Sequence, residues 1–136
     1  MIVTRRWFAG CALCAAGGVL MAEAGAHADT PGFTRRLMNR TDYPGDKMVT
    51  LQMLVDIDPN YVVARHTHPG VETATIIEGG GVFGMQGQPD RPVAAGDGFQ
   101  VPYRVPHLLR NGPARTRVVA VYVVEKDKPL ATPAPE

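Results

Sequence analysis

His66, His68, Glu72 and His107 are the residues through which this chain can do chemistry. The segment Arg65-His66-Thr67-His68-Pro69-Gly70-Val71-Glu72 sets two imidazoles two residues apart and a carboxylate four residues further on. Side chains of an extended strand repeat every second residue, so His66 and His68 project from one face. Glu72 keeps the same parity if a short turn at Pro69-Gly70 brings the chain back beside itself. His107 follows a Gly/Pro-rich stretch and must arrive from a neighbouring strand. Three imidazoles and a carboxylate meeting inside a barrel suit one divalent first-row ion per chain, Fe, Mn, Ni, Cu or Zn. Taken singly, each histidine is better read as a surface or hydrogen-bonded core residue; the set in this spacing favours the metal.

The rest of the inventory narrows the ligand chemistry. The fourth histidine, His27, and both cysteines, Cys11 and Cys14, fall in a segment expected to be removed. No thiolate then remains for a redox pair, an iron–sulfur cluster or a thiolate-bound structural zinc. That segment starts with Thr4-Arg5-Arg6-Trp7-Phe8, continues through a Gly- and Ala-rich apolar stretch to about Ala22, and offers Ala26 and Ala28 as an Ala-x-Ala cleavage pattern. It resembles a twin-arginine signal peptide over residues 1–28, although Gly10 stands where a lysine is usual. The apolar stretch is short and weak for a membrane span. The resemblance implies export to the periplasm by a route that carries folded passengers. Such a route lets a protein take up its metal before it meets copper and zinc that bind more tightly.

Removing 28 of 136 residues leaves 108, which is one small domain. Of 14 Lys and Arg, Arg5 and Arg6 are lost, and of 13 Asp and Glu, Glu23 is lost, leaving twelve of each sign. No basic stripe with interleaved aromatics points to nucleic acid, and no basic amphipathic helix points to a membrane surface. The expected partner is a small molecule.

Period-two patterning runs through the domain. Val49, Leu51, Met53, Val55 and Ile57 alternate as in a half-buried strand. Asp58-Pro59-Asn60 breaks the run before Tyr61-Val62-Val63-Ala64. Thr73 to Ile77 is rich in β-branched residues and ends in the turn Glu78-Gly79-Gly80-Gly81; Val82 to Met85 follows, then a polar turn over Gln86 to Asp90. Gly96 to Pro102 holds a short strand between turn signals, and Asn111-Gly112-Pro113 marks a further turn. Arg117 to Val124 is a continuous apolar run, expected to be covered on both faces. Many short strands and no helical period predict an all-β sandwich or barrel. Residues 126–136 are proline-rich and are expected to be an extended or disordered tail; residues 29–35 are expected to be an N-terminal arm.

Over residues 36–125 the chain resembles the cupin family, small jelly-roll β-barrels. The first family motif, Gly-x5-His-x-His-x(3,4)-Glu-x6-Gly, is met from Asn60 to Gly79, with asparagine for the leading glycine. The second, Gly-x5-Pro-x-Gly-x2-His-x3-Asn, is met at Gly96, Pro102, His107 and Asn111, with Arg104 in place of the inner glycine. The resemblance implies that His66, His68, Glu72 and His107 bind the metal. Glu72 either coordinates or swings away to act as a general base. Arg104 implies an altered loop or a left-handed strain of about 1–2 kcal/mol. It is read more simply as a solvated loop residue than as a clamp on a substrate carboxylate at the barrel mouth. Asn111 is expected to satisfy backbone groups at its turn.

The expected function is that of a metal-dependent enzyme of the dioxygenase type acting on a small organic molecule. A decarboxylase, lyase or isomerase, or a non-catalytic periplasmic binding protein, is the alternative, since one fold hosts many chemistries. Relatives of this fold pair through exchanged edge strands, so a homodimer is expected, with Thr34 to Asn39 and the C-terminal arm as the exchanged segments.

Overall fold

The structure, a computed structural model, describes residues 30–136. The expected leader, with Cys11, Cys14 and His27, lies outside them. The alternating runs become antiparallel strands: β1 (Phe33–Asp42), β2 (Met48–Ile57), β3 (Val62–Thr67), β4 (Gly70–Glu78), β5 (Gly80–Met85), β6 (Arg91–Ala94), β7 (Gly98–Val101), β8 (His107–Asn111), β9 (Thr116–Glu125) and β10 (Thr132–Pro133). They form two five-stranded sheets, β1-β2-β9-β4-β7 and β10-β3-β8-β5-β6, and the described residues contain no helix. The order is that of a jelly-roll sandwich, as the strand pattern predicts.

The first sheet supplies most of the core. β2 and β9 pair along their full length, from Met48 with Glu125 to Ile57 with Thr116. Their inward residues Leu51, Met53, Val55, Val118, Ala120 and Val124 are all buried. Burying one such branched side chain stabilises the fold by roughly 1.5–3 kcal/mol. β9 is less enclosed than its composition suggests: its second face is half-buried, because the sandwich covers one side of each sheet. β1 begins at Phe33, so residues 33–35 of the expected arm are strand residues paired with β2. The proline-rich tail is also placed: Thr132 and Pro133 pair with Thr67 and His66, and Ala134 N–H donates to the Arg65 carbonyl.

Two tight places decide how the chain passes the site. At Pro69-Gly70 the chain leaves β3 in one sheet and enters β4 in the other. A Cβ at Gly70 would collide with the Val123 carbonyl of β9, so glycine is needed there. Asn60 and Arg104, the two departures from motif glycines, hold φ of 60° and 57°. The left-handed conformation is therefore kept without glycine, at about 1–2 kcal/mol for the bulkier Arg104.

Asn111 satisfies backbone groups at its own turn, as its sequence position suggests, and ties it to the turn after β2. Its buried amide donates to the carbonyls of Ile57 (3.2 Å), Asp58 (2.7 Å) and Ala114 (3.0 Å), and its Oδ1 accepts from the Thr116 hydroxyl. An Asn111→Asp change keeps the shape but replaces the donor with an acceptor facing carbonyls. It is expected to lower unfolding free energy by about 2–4 kcal/mol in urea titrations. An unchanged midpoint would show that these bonds contribute nothing.

Candidate metal centre

The site is assembled from both sheets. His66 lies near the end of β3 and faces His107, the first residue of β8, directly across the ladder. Their ring centroids are 4.2 Å apart. His68 sits in the corner just beyond β3, with ring centroids 4.8 Å from His66 and 5.0 Å from His107. One donor atom from each of the three rings falls within 4.8 Å of the others. Glu72 comes from β4 in the opposite sheet, so it faces the imidazoles across the sandwich rather than lying beside them on a folded-back strand. The chain changes sheets at Pro69-Gly70, which is why the expected hairpin does not form. All four residues named from the sequence are brought together.

The hydrogen bonds fix which nitrogen faces inward. His66 Nδ1 lies 2.8 Å from the Ala64 carbonyl, His68 Nδ1 2.6 Å from that of Leu130, and His107 Nδ1 3.0 Å from that of Val105. A carbonyl only accepts, so each Nδ1 carries the proton and each neutral ring turns its Nε2 lone pair inward. Nε2 of His68 and of His107 each lies 3.1 Å from Glu72 Oε2. Both nitrogens are buried and make no hydrogen bond. Lone pair therefore faces lone pair, an arrangement that a cation between them relieves. Two donors at right angles, each about 2.1 Å from one ion, are about 3.0 Å apart. The three imidazoles thus fit a divalent transition ion, with Glu72 Oε2 placed where it could serve as a fourth ligand and the backbone carbonyls orienting the rings.

Burial shapes the protonation of the site. Burial and then the charge of nearby His107 bring the His66 pKa down to about 4, so the ring is neutral when a metal needs it. Burial acts to raise Glu72; hydrogen bonds from His107 and His68, made only when Nε2 carries a proton in place of an ion, outweigh it and hold the carboxyl well below the usual carboxylate range. The Tyr122 hydroxyl donates to Glu72 Oε1 at 3.0 Å. Burial, followed by the Glu72 charge, pushes that phenol well above its ordinary value and keeps it a donor.

The centre opens onto a cavity of about 50 Å³ whose lining includes His66, Glu72, His107, Tyr122, Phe83 and Arg35. Tyr122 and Arg35 were not singled out from the sequence. Tyr122 is hidden in the apolar β9 run, where its parity with Ala120 and Val124 was the available signal. Arg35 alternates with Phe33 and Leu37 in what reads as an arm. Arg104 does not reach the centre. Its side chain is 59% exposed, 4.0 Å from Glu125, with its guanidinium over the Tyr103 ring. Its backbone N–H nevertheless donates to the His68 carbonyl at 3.1 Å.

Three outcomes are expected from this geometry. His66→Ala or His107→Ala removes stoichiometric metal, read by elemental analysis. Deleting residues 130–136 takes away the acceptor that orients His68, and metal affinity is expected to fall about 10–100-fold while the fold is retained. Metal-free protein should lose stability as pH falls from 6.5 toward 4, because the unfolded His66 takes up its proton in that window before the folded one does. The loss is on the order of 3 kcal/mol, measured by denaturant unfolding, with no further His66 contribution above the window.

Comparisons with known proteins agree with this architecture. A search of curated proteins finds no match. Among solved structures, a cupin-like protein from Thermotoga maritima superposes with a TM-score of 0.61 at 22% identity, covering 84% of this chain and 87% of that one. KdgF from a Halomonas species gives 0.55 at 19%, covering 72% and 84%. The DMSP lyase DddQ from Ruegeria pomeroyi gives 0.59 at 21%, covering 62% of this chain and 43% of that one. This chain therefore spans about half the length of the DMSP lyases it matches. Identities this low speak for the fold alone. The family model described as the cupin domain matches residues 53–122, which hold all four predicted ligands, and the chain belongs to the cupin family.

Proposed function

We propose that this cupin is a metal-dependent enzyme acting on a small organic molecule, with a dioxygenase as the leading reading. The observation that carries it is the convergence of three neutral imidazoles and an ionised carboxylate at one end of a cavity. Four protein ligands leave one or two positions of an octahedral ion for a reactant. A bound iron, nickel or copper ion supplies electron transfer between a coordinated electron-rich substrate and dioxygen, whereas manganese or zinc supplies Lewis acidity. Phe83, Phe99, Val118 and Leu109 give the cavity an apolar wall.

A second reading, a lyase or isomerase, is favoured by the Tyr122–Glu72 hydrogen bond. If Glu72 were to take a proton from substrate, the Tyr122 phenol would be placed to give its own proton to the product, and Glu72 would return the abstracted proton to the phenolate across their hydrogen bond. Two structural neighbours are DMSP lyases, which agrees with this second reading. Export by the twin-arginine route and a homodimer formed through the β1 edge complete the proposal. They rest on the Thr4–Phe8 pattern and on the length of β1, which pairs with β2 on one side.

Metal analysis of protein isolated from its native compartment, followed by turnover of small β-diketones and short organic acids with and without dioxygen, tests the proposal. Oxygen uptake in step with product is expected, and Tyr122→Phe should change the rate less than tenfold. Turnover that continues without dioxygen and drops at least about 100-fold in Tyr122→Phe would replace the dioxygenase with the lyase or isomerase. Failure to retain any metal would end both.

A further inference from the structure

Arg35 is an inward-pointing cation in an apolar setting. On β1 it alternates with Phe33 and Leu37, which pack into the core, and it sits opposite Val55 of β2, which is buried. Its Nε is buried without a hydrogen-bond partner, and its guanidinium lies 5.0 Å from the centroid of the Phe33 ring. Among the described residues no carboxylate pairs with it, whereas Arg40, Arg104, Arg110, Arg115 and Arg117 each have one. Arg35 is half-buried, with its Nε out of water; holding even part of a guanidinium there without a counter-charge is costly, and an aliphatic side chain would fill the same place without that cost. Arg35 lines the same cavity as His66, Glu72, His107 and Tyr122.

The charges of that cavity point the same way. With a dication in place, Glu72 offsets one of its two charges and Arg35 adds another, while the rings and the phenol stay neutral. Two positive charges therefore remain on groups that line one small cavity. The volume of about 50 Å³ admits about three to five water-sized groups, which selects a short ligand. The guanidinium offers the planar pair of donors that matches a carboxylate.

We infer that Arg35 is a substrate-anchoring residue, and that the ligand of this cavity is a short organic acid whose carboxylate meets Arg35 while its other end meets the metal. This rests on the proposed metal site and adds the substrate class.

Full-length protein loaded with Co(II) is titrated with mercaptoacetate, 3-mercaptopropionate and their neutral amides, occupancy being read from the sulfur-to-cobalt charge-transfer absorption. A thiolate on the ion cancels the charge that Glu72 leaves, so any remaining preference for the acid reports Arg35. At least one acid is expected to bind the wild type about tenfold or more tightly than its amide. In Arg35→Gln that ratio should fall to about 1–2, with amide affinity unchanged as proof that fold and metal are intact. Arg35→Lys, with its single ammonium, should retain part of the preference. Equal binding of acid and amide by the wild type, or a preference that survives Arg35→Gln, would overturn the anchor. If the wild type takes up no cobalt, the metal reading fails by itself. Calorimetry of the acids with metal-free wild type and Arg35→Gln then decides the anchor: a loss with Arg35→Gln upholds it, and equal or absent binding overturns it.

Discussion

Three backbone carbonyls, those of Ala64, Val105 and Leu130, hold the Nδ1 protons of His66, His107 and His68, and the site depends on these bonds. With the proton committed outward, each ring has one lone pair left; those of His68 and His107 meet the Glu72 carboxylate, and a donor atom of His66 lies within 4.8 Å of theirs. Two of these acceptors lie two residues before their own histidine, so strand geometry supplies them at little entropic cost. The third is 62 residues away in the chain, which makes the C-terminal segment part of the centre. A tail that could have been a solvated appendage is instead a strut behind a ligand.

The division of labour between the sheets follows from the cost of that centre. Buried lone pairs and an ionised carboxylate contribute nothing favourable until a cation joins them. The fold must draw its stability elsewhere, and it does so in the first sheet, where β2 and β9 run paired for ten residues and bury an alternate row of aliphatic side chains. The second sheet has shorter strands and carries the histidines. Asn111 and Thr116 link the two sheets by satisfying carbonyls that would otherwise be stranded at the turns. A metal bound by these residues would couple its binding to folding, since it would relieve the least favourable contacts of the protein.

How much could be read beforehand varied with the range of the interaction. β2 and β9 announce themselves by local period, and the ligand set by the composition of two motifs, because apolar alternation and donor chemistry are properties of adjacent residues. β6 and β8 carry no comparable pattern: Arg91–Ala94 and His107–Asn111 are strands because β5 lies between them and hydrogen-bonds to both. Arg104 illustrates the limit of a motif. The backbone conformation implied by the glycine it replaces is kept, with φ of 57°, yet its side chain turns to Glu125 at the surface. Tyr122 and Arg35 were missed for the converse reason, since an apolar run or a presumed arm says nothing about which neighbour a side chain meets.

The sequence by itself determined the β architecture, the four candidate site residues and the absence of cysteine after residue 28, since each follows from residue types and short spacings. Tertiary structure alone decided that Glu72 faces the histidines from the opposite sheet, that the tail orients His68, that Arg104 lies outside the site and that Arg35 and Tyr122 share its cavity. Those facts depend on which strands pair and in what register. Register is a property of two distant segments together, and neither segment carries it alone.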